Sequence, residues 1–177
     1  PAERRVRHPQ RGDPLNGHRR GERGQVAVYA ILLFPVLTLV LALVLAVGSV
    51  ESLRTRIGSQ VDMAALTATQ ALDLSALSRG EQPRLIEPQA EALAREYLAR
   101  NLAATSDLLA ASPSEIASDA EIVVTNQAGT DPLTGAPIDA PTVSIRVRVP
   151  ARIPLLGLAG LAPTVTITIT GSAAART

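Results

Sequence analysis

A long apolar segment near the amino terminus constrains this chain more than any other feature. Residues 24–50 contain no charged side chain, and the apolar part occupies residues 26–50. An α-helix rises about 1.5 Å per residue and the hydrocarbon core of a bilayer is about 30 Å thick, so about 20 apolar residues can cross it. Pro35 lies inside the segment, and membrane helices tolerate such a proline. We therefore predict a retained transmembrane helix at residues 25–50.

A cleaved secretion signal is the alternative interpretation of the same segment. The apolar region of such a signal is usually roughly 7–15 residues long, which is shorter than the run found here. The small residues Ala46 and Gly48 nevertheless provide a cleavage motif. Cleavage there would release a secreted binding module that begins near Ser49.

Charge is distributed unevenly along the chain. Residues 1–24 hold seven Arg against three acidic residues, whereas the residues after Val50 hold ten Arg against thirteen acidic residues. Because cytoplasmic flanks of membrane helices are enriched in Arg, the tail is predicted to be cytoplasmic and the remainder extracytoplasmic. We interpret residues 1–24, which are rich in Pro, Gly and Arg, as a disordered tail that contacts anionic lipid and not nucleic acid.

The helix is predicted to continue beyond the membrane as a membrane-proximal stalk at residues 51–78. Apolar residues recur there at steps of three and four, the spacing of one helix face. The small-residue part of this face consists of Val61, Ala64, Ala65 and Ala68. Small side chains allow close approach of another helix, so this face packs either on a partner helix or on the chain's own domain. Gly80 and Pro83 are expected to end the helical stretch.

Residues 79–177 are predicted to form an extracytoplasmic α+β domain. The segment "EPQAEALAREYLARNLAAT" indicates a second helix with Glu–Arg pairs on its polar side. Ser112 and Glu115 resemble a capping box. The period then changes from 3.6 to 2 in "AEIVVTN", "PTVSIRVRVP" and "PTVTITITGS", which predicts a small antiparallel sheet of about three strands. The fold class is therefore α+β, with a transmembrane helix that continues into an extracytoplasmic helix.

An apolar connection, "RIPLLGLAGLAP", separates the last two predicted strands. If this connection is exposed, it marks a contact with a partner or with a membrane surface. If it folds over the sheet, it is a lid on the core. The sequence alone leaves both alternatives open.

The residue types needed for catalysis are scarce. The chain has no Cys and no Lys, and both histidines, His8 and His18, lie in the amino-terminal tail. Asp131 and Asp139 flank a Gly/Pro loop, but Ca²⁺ normally takes 6–8 oxygen ligands and no pattern of that kind is visible. We predict that the protein is not an enzyme and has no catalytic, cofactor or metal site.

The order of these segments resembles the TadE/TadG-like proteins of tight-adherence (Flp) pilus assembly. The resemblance rests on "RGERGQVAVYAILLFPVLTLVLALVLAVG", "QVDMAALTATQALD", "AREYLARN" and the late strands that end in "ITITGSAAA". It implies a single-pass protein of the bacterial cytoplasmic membrane that helps to assemble or anchor an adhesive pilus or secretion apparatus. The implied partners are other pilus or secretion-apparatus subunits and the lipid bilayer.

One departure from the family pattern concerns processing. In the resemblance, Gly24 and Gln25 occupy the place of a leader-processing site, and TadE pseudopilins carry Glu and then Phe five and six residues past the processing Gly. This chain has Tyr29 and Ala30 at those places. The departure favours the TadG-like side of the family, which lacks that Glu, or a divergent relative, and it predicts that the Arg-rich tail is kept.

Overall fold

The computed structural model describes residues 19–158 and 160–175. Most of the predicted tail therefore lies outside the described residues. The helices are α1 (Arg19–Ala68), α2 (Leu74–Ser78), α3 (Glu87–Ala103), α4 (Pro113–Ser118) and α5 (Pro154–Leu158), with a 3₁₀ turn at Ser106–Leu108. The strands are β1 (Glu121–Thr125), β2 (Gly129–Thr130), β3 (Pro137–Ile138), β4 (Thr142–Arg152) and β5 (Thr164–Ala174).

The predicted α+β fold class is confirmed. One long apolar helix near the amino terminus is followed by shorter helices and by a three-stranded sheet in the order β1-β4-β5. Both pairs of neighbouring strands are antiparallel, and β4 and β5 pair along their whole length from Thr142↔Ala174 to Arg152↔Thr164. A separate two-stranded ribbon, β2 with β3, forms in the turn-rich loop before β4.

The chain divides into two compact units, with the boundary between Leu41 and Ala42. The described residues of the first unit all belong to α1, and their side chains from Ala27 onward are exposed. The second unit contains the remainder of α1 and the whole α+β domain.

The core of the second unit lies between the sheet and two helices. Alternation along β4 and β5 places their aliphatic side chains on one face, as expected for strands with period 2. Helices α1 and α3 contribute their buried faces to the same cluster. Its principal members are Leu53, Ile57, Val61, Ala90, Ala94, Leu98, Leu102, Val143, Ile145, Val147, Val149, Ile167 and Ile169.

Helix α3 agrees closely with its prediction. It spans Glu87–Ala103 with a proline in its first turn, and both predicted ion pairs form, Arg95–Glu91 at 3.9 Å and Arg100–Glu96 at 2.9 Å. The capping box at the start of α4 is also present, since Ser112 and Glu115 satisfy each other's backbone N–H groups. Local sequence signals therefore set this part of the domain.

The expectation that α1 continues to the neighbourhood of Ser78 is wrong. The helix ends at Ala68, and the chain then makes an isolated bridge between Leu72 and Leu85. Asp73 caps the separate helix α2 by accepting a hydrogen bond of 3.0 Å from Ala76 N–H. Its own N–H donates to the carbonyl of Arg84 at 2.9 Å. These bonds offer the backbone an alternative to continued helix.

Candidate membrane anchor and helix-packing site

The apolar part of α1 has the properties of a membrane span. Helix residues Ala27–Ala68 contain an 18-residue window with a mean hydropathy of 3.0, of which 6% is buried. Large side chains between Val28 and Val47 are 46–72% exposed. Exposure of so much contiguous apolar surface to water is unfavourable, and such surfaces mark contacts with lipid or with other proteins. By length and composition, α1 is therefore a candidate membrane helix.

The two residues at the predicted processing site lie within α1. Gly24 and Gln25 are both helical in the structure. Tyr29, which stands where pseudopilins carry Glu, is 61% exposed. Cleavage at this site stays a prediction.

The predicted small-residue face lies inside the chain's own domain. Val61, Ala64, Ala65 and Ala68 are each 0% exposed and belong to the core cluster. Of the two alternatives that the sequence left open, the structure therefore supports packing on the chain's own domain. In this structure the face is not free for a partner helix, because α3 and the sheet already occupy it.

Two contacts fix α1 against the rest of the domain. The side-chain amide of Asn101 on α3 donates to the backbone carbonyl of Gln60 on α1 at 3.2 Å. On the sheet side, Gly171 of β5 faces α1 so closely that a Cβ atom there would lie 3.0 Å from Val61 Cγ1 and 3.3 Å from the backbone nitrogen of Asp62. The absence of a side chain at Gly171 thus allows the strand and the helix backbone to approach each other.

The outward side of α1 carries an exposed apolar patch that sequence periodicity did not single out. Met63 is 57% exposed and Leu66 is 52% exposed. Met63 also lines a groove of about 430 Å³ between α1 and α3, together with Tyr97 and Arg100. The guanidinium of Arg100 lies 5.0 Å from the centroid of the Tyr97 ring. We name this surface the α1–α3 groove.

The carboxylate of Asp131 is bound by the chain itself. Asp131 is 2% exposed and accepts hydrogen bonds from Ser144 Oγ at 2.5 Å, Thr134 Oγ1 at 2.7 Å and the Leu133 N–H at 2.8 Å. Burial raises the pKa of this carboxyl, but the hydrogen bonds outweigh burial and the pKa is lowered. The residue therefore anchors the loop before β4. Asp139, which flanks the same Gly/Pro loop, is exposed.

Comparison with known families bears on the same helix. A family model described as putative Flp pilus-assembly TadE/G-like matches residues 24–78. The matched segment contains the apolar span, the buried small-residue face and α2. No curated protein and no solved structure is significantly similar to the chain. The resemblance seen in the sequence is thus confirmed over residues 24–78.

Proposed function

We propose that this chain is a membrane-anchored, non-enzymatic accessory component in the assembly or anchoring of a tight-adherence type pilus or a related secretion apparatus. One observation carries the proposal. The helix that matches the TadE/G-like family presents an exposed apolar surface up to Val47 and then forms part of the core of an α+β domain from Leu53 to Ala68. Anchor and domain therefore share one continuous helix.

Helix α1 joins the apolar span to the domain without a break in helical structure. Its residues Ile57 and Val61 are buried between the sheet and α3. A Gly/Ser-rich linker would behave as a flexible coil at this place. A continuous helix suits a component that holds a filament or an assembly platform at the membrane.

The orientation in this proposal follows from charge. Seven Arg precede the apolar span, so the amino terminus is cytoplasmic and the α+β domain is extracytoplasmic. The Arg-rich tail would contact anionic headgroups on the cytoplasmic leaflet.

We further propose that the chain keeps its tail and does not stack into a fibre. Processing between Gly24 and Gln25 would create a charged amine within an apolar environment. In pilin-like filaments an early Glu is thought to offset that charge, whereas Tyr29 offers a hydroxyl and no negative charge. An unpaired charge buried in an apolar environment costs several kcal/mol even after relaxation.

The secreted module is the second candidate. Cleavage after Gly48 would leave Leu53 and the rest of the buried face in the domain. It would, however, remove Ala46, which is 1% exposed and belongs to the core cluster. The position of Ala46 in the core therefore favours the anchored form.

In-cell cross-linking tests the proposed role. A photoreactive amino acid at Met63, in the α1–α3 groove, is expected to capture another pilus or secretion-apparatus subunit in the membrane fraction. The same probe at Thr168, an exposed residue on the outer side of the sheet, is the matched control. Recovery of the protein in the culture medium, without a captured subunit, would exclude the accessory role and favour the secreted module.

A further inference from the structure

The connection between β4 and β5 is an apolar projection at one end of the sheet. Residues 153–175 contain no charged side chain. The connection includes α5 and closes on itself, because the N–H of Ile153 donates to the carbonyl of Pro163 at 2.6 Å and the N–H of Leu161 to that of Leu156 at 2.9 Å. Leu156 packs partly against the core, but Leu161 is 53% exposed. The described residues of the connection are thus folded, and Leu161 presents apolar surface.

Contacts near both ends of β5 show which residues of α1 lie beside the β4–β5 connection. Near the end of β5, Gly171 lies against Val61. Near its beginning, Val165 pairs with Ala151, which in turn bridges to Leu109. The adjacent residue, Leu108, lines a cavity together with Val44, Gly48 and Leu53 of α1. Strand β5 and helix α1 therefore run side by side in the same direction.

Strand and helix dimensions then give the position. From Gly171 back to Thr164 the strand covers about 23 Å, at about 3.3 Å per residue. The same distance along α1 corresponds to about fifteen residues, which leads from Val61 back to the neighbourhood of Ala46. Ala46 is 1% exposed and belongs to the core cluster. The folded domain thus reaches the level of Ala46, and the β4–β5 connection emerges from the sheet at that level.

Ala46 lies inside the uncharged run that ends at Val50. A hydrocarbon core of about 30 Å requires about 20 helical residues. Counted from residue 26, the far boundary of the hydrocarbon falls close to Ala46. When α1 spans the membrane in this way, Ala46 comes to the depth where acyl chains meet headgroups.

The charged residues nearest to the connection agree with this placement. Arg152 is the last charged residue before it and is exposed, as is Arg148 on the same face of β4. On α1, Arg56 lines the same cavity as Leu108. Arg side chains at such positions bury their aliphatic stems and hold their guanidinium groups among headgroups.

From this juxtaposition we propose that the β4–β5 connection is a second membrane contact, which inserts into the outer leaflet at the boundary between headgroups and acyl chains. The inference rests on the proposed anchoring of α1 in the membrane. The occupant of the apolar surface is lipid, as for interfacial amphipathic segments.

Spin labelling at single cysteines tests the proposal cleanly, because the chain has no Cys. The full chain is reconstituted into phosphatidylcholine–phosphatidylglycerol vesicles with a label at Leu161→Cys. Leu74→Cys is the matched control. Leu74 is 72% exposed and lies in α2, beyond the carboxyl end of α1. Leu37→Cys, in the middle of the span, reports whether α1 has inserted.

The measurement is the ratio of collision rates with lipid-soluble oxygen and with a water-soluble nickel chelate. We expect this ratio to be several-fold higher at Leu161→Cys than at Leu74→Cys, and highest at Leu37→Cys. If the Leu37→Cys label is in lipid and the Leu161→Cys label has the same ratio as the Leu74→Cys label, the second contact is disproved and the anchor stands. Low collision rates with both reagents at Leu161→Cys would mean that protein covers it, which also disproves lipid contact. A Leu37→Cys label in water would disprove the anchor itself.

Discussion

Gly171 of β5 and Val61 of α1 are in close contact: a Cβ atom at Gly171 would lie 3.0 Å from Val61 Cγ1, which is tighter than ordinary van der Waals contact. The contact joins the helix that carries the membrane span to the last strand of the sheet. Together with the hydrogen bond from Asn101 to Gln60, it joins the matched residues 24–78 to later parts of the domain.

Replacing Gly171 should weaken the packing of β5 against α1. We expect Gly171→Ala to destabilise the domain by about 1–3 kcal/mol, the usual cost of overpacking a well-packed site, since the backbone of Asp62 is also within 3.3 Å of the new atom. Ser172→Ala, at the exposed neighbouring position, should change stability little. Urea unfolding of the detergent-solubilised chain, followed by circular dichroism, measures both. Equal stability of the two variants would mean that α1 and β5 are not in close contact.

The buried small-residue face gives a second prediction. Because Ala65 is 0% exposed in the chain's own core, Ala65→Leu should lower the free energy of unfolding by about 1–3 kcal/mol. The sequence alone allowed a different outcome, in which this variant folds normally and fails only in assembly. Leu66→Ala, next to it and 52% exposed, is the control and should leave the unfolding midpoint nearly unchanged. If Ala65→Leu has normal stability, the small-residue face does not pack in the chain's own core, and packing on a partner helix is favoured.

Asp131 makes the stability of the domain depend on pH. The hydrogen bonds hold its pKa in the folded state below the ordinary value of 3.8, so the ionised carboxylate contributes stability above pH 3.8 that is lost as the pH falls through the lower folded pKa. Asp131→Asn removes a charged acceptor from a buried site and should cost about 1–3 kcal/mol at pH 7. Between about pH 5 and pH 2, where such a carboxylate becomes protonated, the free energy of unfolding should fall less in the variant than in the wild-type protein.

The control for this prediction is Asp139→Asn, which changes an exposed carboxylate in the same loop region. Thermal unfolding of both variants at several pH values distinguishes them. A parallel loss of stability with falling pH in the wild-type protein and in Asp131→Asn would exclude Asp131 as the source of the pH dependence.

The topology of the chain can be tested independently. The excess of Arg before the span predicts that protease added outside spheroplasts digests the region after Val50 and leaves residues 1–24 protected. Epitope tags at the two ends of the chain, detected by immunoblotting, report which part survives. Digestion of the amino-terminal tag with survival of the carboxy-terminal tag would reverse the orientation.

Local patterns predicted most of the fold correctly. The change from period 3.6 to period 2 located β1, β4 and β5, and the proline of the first turn and the spaced Glu–Arg pairs located α3. These signals suffice because each element's own residues determine them. The end of α1 at Ala68 was missed because hydrogen bonds to Arg84 and a bridge to Leu85, which lie later in the chain, compete with the helix.

The packing partner of the small-residue face and the hydrogen bonds of Asp131 could not be predicted from the sequence, because both depend on residues far away in the chain. Alanines at helical spacing serve equally well against a partner helix and against the chain's own sheet, so Ala64 and Ala65 could not be assigned until Gly171 and α3 were placed beside them. The hydrogen bonds of Asp131 were not predicted because one of its donors, Ser144, belongs to β4 and only the folded loop brings it close. Tertiary contacts, and not local preference, decide such cases.

Membrane anchoring with a retained tail is decided by the intact mass of the protein recovered from the membrane fraction, together with its amino-terminal sequence. An anchored accessory component should be found in that fraction with Gly24 and Gln25 still joined and the Arg-rich residues 1–24 retained. A mature chain that begins at Gln25 would contradict this and indicate a processed pseudopilin. A soluble chain that begins near Ser49 would contradict the membrane anchor altogether and favour the secreted module.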